Sequence, residues 1–152
     1  MTVTRVGQEL RDKTAVVGVG LTIGTFPERT QISLAVEAYQ KALDDCGLKR
    51  KNVDALTTYD AFAPLVLFGL ERFGFCGPGE ALEFIKNGRI ELGGELPVNT
   101  SGGLLSEGHV VGWNLFIEAV NQLRHDCGPR QVKDAEIIQY GSFLGESIIF
   151  RR

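Results

Sequence analysis

The run Asn99-Thr100-Ser101-Gly102-Gly103-Leu104-Leu105-Ser106-Glu107-Gly108-His109 brings a glycine turn, a helix entrance and one of two histidines together. A histidine held where a strand gives way to a helix can take or give a proton near neutral pH. Unpaired backbone N–H groups beside it can hold a developing oxyanion. Acyl transfer is built on such equipment and also requires a nucleophile. The cysteines are Cys46, Cys76 and Cys127, an odd set without CxxC spacing, so they indicate neither a disulfide framework nor a zinc site. Tyr59 closes an apolar run and is a second candidate, either as a hydrogen-bond donor to a thioester or ketone oxygen or as a packing aromatic. Asn99, Ser101, Gly102 and Gly103 offer amides to an acyl group or pantetheine, or else form a tight turn that needs glycine.

Strands and helices must position these groups. Lys13 to Thr22 is short, apolar and β-branched, which predicts a buried strand. Thr30 is a predicted N-cap for a helix carrying Ile32, Ala35, Val36, Tyr39, Leu43 and Cys46 at helical spacing, with Gly47 as its stop. Val53 to Tyr59 predicts a second strand, after which Asp60 is expected to cap a helix bearing Phe62, Leu65, Val66, Leu70 and Phe73. Pro78 is expected to open a short helix, Gly79 to Asn87, followed by a loop or β-ribbon over Arg89 to Pro97. A helix beginning near Ser106 or Gly112 is expected to run to Cys127, and two closing strands to cover Ala135 to Tyr140 and Ser147 to Phe150. The alternation predicts an α/β sandwich of mixed sheet and helices. Gly18-x-Gly20-x-x-x-Gly24 follows a strand, but the next helix starts too late to place its N-terminus against those glycines, so a dinucleotide site is not indicated.

The 152 residues, 43% hydrophobic and 23% charged, suffice for one core. Net charge is −3 and the basic residues are scattered, which argues against a nucleic-acid partner. No apolar run reaches membrane-spanning length. Met1 to Asp12 is polar and lacks the core of a signal peptide, so a cytoplasmic location is expected.

Several stretches resemble the thiolase superfamily, in the branch related to the thiolase part of sterol-carrier-protein X and to bacterial lipid-transfer-like thiolases. They are Tyr59-Asp60-Ala61-Phe62-Ala63-Pro64-Leu65, Leu70 to Glu80, Leu96 to Gly103 with Glu107-Gly108-His109, and Glu118 to Arg124. The resemblance implies a layered thiolase-like sandwich forming one domain over residues 1–152. In it, 14–54 corresponds to the start of the N-terminal half and 55–150 to most of the C-terminal half. It also implies acyltransferase or related carbon–carbon bond chemistry on a coenzyme A thioester, with His109 and Tyr59 catalytic and Asn99, Ser101, Gly102 and Gly103 at the cofactor.

No covalently bound cofactor and no metal are implied. The segment in which thiolases carry the nucleophilic cysteine has no counterpart, and no cysteine stands near Gln139 to Ser142, where the family's second one falls. The expected activity is therefore incomplete in this chain alone. The alternatives are a non-catalytic subunit that binds acyl-CoA and a steroid-CoA aldolase of the thiolase type, whose second tyrosine would fall at His109. The implied partners are further copies of the chain, or a small zinc-ribbon and OB-fold protein that binds acyl-CoA.

Overall fold

The computed structural model describes residues 15–20, 28, 30–142 and 146–152. The outer ends predicted for the first strand, at residues 13–14 and 21–22, lie outside the described residues. Strand β1 covers Ala15–Gly20, and helix α1 covers Gln31–Asp45. The Thr30 hydroxyl accepts from the Ser33 amide at 3.1 Å, as an N-cap must. Strand β2 is Ala55–Thr58, α2 is Pro64–Arg72 and α3 is the short Ala81–Phe84. The helix expected over Gly79 to Asn87 is therefore shorter, because Asn87 at φ 59° turns the chain into a 3₁₀ segment over Lys86–Gly88.

The single helix expected before Cys127 is two. Helix α4 is Gly103–Glu107 and α5 is Trp113–Arg124, separated by a loop whose Gly108 and Gly112 have φ of 104° and 83°. Strands β3, Ile137–Gly141, and β4, Ser147–Arg151, close the fold.

The strands form one mixed sheet in the order β1-β4-β3-β2, with β2 and β3 parallel and the other pairs antiparallel. Side chains alternate across it. Leu56, Ile137 and Ile149 join a core with Tyr39, Leu43, Leu70 and Phe73 beneath α1 and α2. Ala55, Ile138, Tyr140 and Phe150 join a second core with Leu115, Ala119 and Leu123 of α5. Helices thus cover both faces, which is why the strands read as continuous apolar runs rather than alternating ones. Gly18 is required by packing, since a Cβ there would strike the Ala42 carbonyl of α1.

The outer edge of β2 is closed by the segment after the ribbon. Leu56 N–H donates to Pro97 O at 2.9 Å, and Asn99 N–H donates to Leu56 O at 3.0 Å. On the far side, β1 pairs with β4, and among the described residues no strand covers its other edge. Val16 and Val19 of that strand are exposed.

Candidate functional site

Tyr59 follows β2 and prolongs its ladder, donating its N–H to Gly141 O at 3.1 Å. Alternation along the strand turns its ring to the α5 side, where it packs on the second core. His109 lies in the loop between α4 and α5. The two meet: Tyr59 Oη and His109 Nε2 are 2.6 Å apart, with ring centroids at 5.7 Å and an interplanar angle of 77°. A phenol and an imidazole at that distance share a proton, and which atom carries it depends on the histidine tautomer.

Gly112 makes this approach possible. A Cβ there would lie 3.2 Å from both the Tyr59 ring and the Tyr140 hydroxyl. Tyr140 is packed against Phe116 with centroids 4.2 Å apart. Burial, then the charges of Glu146 and Tyr59, push its phenol up to about 12, so it stays protonated beside the pair.

The diglycine turn is built by side chains that nothing in its spacing announced. Asn99 adopts φ 47°, and its side-chain amide continues the sheet: Oδ1 accepts from Thr58 N–H at 2.7 Å, and Nδ2 donates to Thr58 O at 2.9 Å. Asp60 does not cap α2, whose N-cap is Ala63 without a side-chain bond. Its buried carboxylate turns inward, accepts from Leu104 N–H at 2.8 Å and seats against Gly103. The reason is geometric: α4 begins beside the end of β2 and leaves amides that need an acceptor. Ser101 Oγ donates to Glu107 Oε2 at 2.9 Å. The turn therefore commits the Asn99 amide and the Ser101 hydroxyl within the protein.

Behind the turn lies Glu118 of α5, whose side chain is 3% exposed. It accepts from Thr100 Oγ1 at 2.7 Å, Gln122 Nε2 at 3.0 Å and Arg130 Nη2 at 3.0 Å. Burial opposes its charge, but those hydrogen bonds and the Arg130 charge outweigh burial and hold the carboxyl below the usual range. A folded pKa below the unfolded one gives stability that is complete above about pH 4.3, the ordinary glutamate value, and is lost as pH falls through the folded pKa. Urea titrations between neutral and strongly acid pH should therefore show Glu118→Gln losing the wild type's acid-side slope, with about 1–3 kcal/mol less stability at pH 7.

None of the thiols is placed to serve His109. Cys46 Sγ donates to Ala42 O at 3.1 Å in the opposite core, and Cys76 packs on that same core. Burial, then Glu71 and Glu80, raise the Cys76 pKa. Cys127 is pushed up to about 11 by burial and then Glu118. It also lies beyond the far end of α5, whose 12 residues span about 18 Å.

A family model described as Thiolase C-terminal domain-like matches residues 21–143. The chain belongs to that family. In this thiolase C-terminal-like chain, 78 residues are 50% identical to the 17-hydroxy-3-oxo-4-pregnene-20-carboxyl-CoA lyase of Mycobacterium tuberculosis, covering 51% of the chain and 20% of that protein. The steroid side-chain-cleaving aldolase of Thermomonospora curvata is 46% identical over 85 residues, 56% of this chain and 22% of its own length. The non-specific lipid-transfer protein-like 2 of Caenorhabditis elegans is 33% identical over 136 residues, 81% and 33% respectively.

A solved Ltp2-ChsH2(DUF35) aldolase matches with a TM-score of 0.77 and 31% identity, over 91% of this chain and 39% of the matched one. The chain thus spans between a fifth and a third of the length of these curated relatives. The layered thiolase-like α/β fold expected from the sequence is the fold observed. Among the described residues no helix is long and apolar enough to cross a membrane.

Proposed function

We propose that this chain carries the proton-transferring part of a thiolase-like site that makes or breaks a carbon–carbon bond in an acyl-CoA, with Tyr59 and His109 as its catalytic residues. The carrying observation is the 2.6 Å contact between Tyr59 Oη and His109 Nε2. Thiolysis needs a thiolate to hold the acyl group, and here the thiols lie in other surroundings. A tyrosine and histidine sharing a proton suit the aldol direction better. His109 draws the proton from Tyr59, and the Tyr59 oxygen takes the proton of a hydroxyl on the carbon β to the thioester. As that oxygen becomes a ketone, the bond between the α and β carbons breaks and its electron pair enters the thioester enolate. The enolate then takes a proton at the α carbon, returned through the same pair. The products are a ketone and a shortened acyl-CoA, and atoms and charge balance.

The lyase relative's name places a hydroxyl at such a β position, which supports this direction. The thioester is proposed to approach over the turn formed by Asn99, Ser101, Gly102 and Gly103, with coenzyme A entering as part of the substrate. The test is incubation with a 3-hydroxyacyl-CoA bearing a tertiary hydroxyl and, separately, with a 3-oxoacyl-CoA plus coenzyme A. Ketone release from the first and none of the second reaction is expected. Thiolysis with an acyl-cysteine intermediate would overturn the reading, and thioester binding with turnover of neither would leave the non-catalytic subunit.

His109 and its loop neighbours 105–111 are exposed, so nothing within the described residues excludes water from the pair. Beside it, Trp113, Ile117, Val110 and Val111 present apolar surface, with Trp113 68% exposed. This apolar surface suits a further wall of protein that would shield the pair from water. The DUF35 protein in the solved relative supports a hetero-complex with a zinc-ribbon and OB-fold partner that binds acyl-CoA, self-association being the other outcome. Trp113 is the chain's one tryptophan. Its emission should shift to the blue on adding such a partner, and a shift that instead follows the chain's own concentration identifies a homo-oligomer.

A further inference from the structure

The loop that carries His109 has little packing to hold it. Residues 105–111 are exposed, and Gly108, Val111 and Gly112 sit at φ of 104°, 55° and 83°. Its backbone contacts are local ones, Val110 N–H to Gly108 O and Trp113 N–H to Val110 O, both 3.2 Å. A left-handed valine is costly, and such a conformation persists only where its surroundings impose it.

Glu107 supplies that constraint. It ends α4, two residues before His109. Its Oε2 accepts from Ser101 Oγ at 2.9 Å and from Asn114 Nδ2 at 2.9 Å. Ser101 lies in the turn entering α4, and Asn114 lies in the first turn of α5. One carboxylate oxygen thus joins the two ends of the segment that contains the loop. Charge-assisted bonds of this kind are about twice as strong as neutral ones. Asn114 Oδ1 is buried and has no hydrogen-bond partner among the described residues. Turning the amide over would set that oxygen against the carboxylate, so the acceptor oxygen of Glu107 fixes the amide's orientation and, through it, the start of α5.

We infer that Glu107 is a positioning residue, whose carboxylate clasps Ser101 and Asn114 and so holds the 108–112 loop where the His109 ring meets Tyr59. The inference rests on the Tyr59–His109 pair being the working site, but its test reads geometry rather than turnover. The chain has two histidines, His109 and His125, so ring ¹⁵N spectra show each separately, with His125 as internal reference. Tyr59→Phe should move the His109 Nε2 resonance and abolish the downfield phenolic proton. Glu107→Ala should produce the same loss with His125 unmoved, and Glu107→Gln, which still presents an oxygen, should retain most of the wild-type signal.

A Glu107→Ala spectrum in which His109 matches wild type overturns the inference. So does a loss that Glu107→Gln shows equally, since an acceptor oxygen at position 107 would then not be what holds the loop. Should Glu107→Ala fail to fold, Ser101→Ala removes one arm alone, and an unmoved His109 there overturns the inference as well. If Tyr59→Phe itself leaves His109 unmoved, it is the catalytic pair that fails, and the two failures stay distinct.

Discussion

Gly103→Ala should lower stability by about 3 kcal/mol, a fall of roughly 6–12 °C in Tm for a domain of this size. Two effects combine at this residue. Its φ of 64° is strained for any residue with a Cβ, and the added methyl would overlap the buried Asp60 carboxylate. Asp60 cannot simply swing away, because it accepts from Leu104 N–H at 2.8 Å and no exposed rotamer would replace that bond. Gly47→Ala is the control. Its φ of 66° is nearly the same, but no atom lies within 4 Å of the added methyl. About 1 kcal/mol is expected there. Thermal denaturation of both variants, with Asp60→Ala combined with Gly103→Ala, checks the assignment. The double variant should be less damaged than the sum of the two changes, because the residues touch.

Tyr59→Phe should leave the fold intact and reduce carbon–carbon bond cleavage by roughly 10²–10⁴, the span ordinary for a positioned acid or base. Phenylalanine keeps the ring against Gly112 and Tyr140 and removes only the oxygen that lies 2.6 Å from His109. His109→Gln should cost a similar factor, since a tyrosine without its proton acceptor is a poor base at neutral pH. Combining the two should cost little more than either, because groups that work as a unit are not additive. Steady-state rates of the three variants, with melting curves to confirm folding, measure this. Independent, multiplying losses would mean that the two side chains act separately.

Val36 of the expected stripe is 44% exposed, yet the bounds of helix α1 were legible, because Thr30, Tyr39, Leu43 and Gly47 are local signals, and local signals survive folding. Strands β2 and β3 were legible as buried runs for the same reason. Asp60 was legible as a cap but not for its helix: the rule that a helix needs an acceptor at its start holds, and α4, 43 residues further on, had the greater need. The two-helix break before Cys127 depends on left-handed backbone at Gly108 and Gly112, which composition permits without requiring.

Tyr59 and His109 were each legible as candidates, but their pairing was not: they stand 50 residues apart, and no periodicity links them. Asn99 was legible as an amide in a turn, and nothing in its spacing announced that its side chain would bond both the N–H and the carbonyl of Thr58. Glu107 was visible only as a member of the Glu107-Gly108-His109 stretch, with nothing to show what its carboxylate holds, and Asn114 carried no signal, since an amide in a helix is ordinary alone. Tyr140 could have been noticed, because alternation from Ile138 points it to the same face as Tyr59.

Deuterium exchange at the α carbon of a saturated acyl-CoA, followed by mass spectrometry in D₂O, asks most directly whether proton transfer here is independent of sulfur. It should be run on the chain with Cys46, Cys76 and Cys127 all changed to serine or alanine, beside Tyr59→Phe. Exchange that persists without thiols and disappears without the phenol is the predicted result. Exchange that vanishes with the cysteines while Tyr59→Phe retains it would contradict the account.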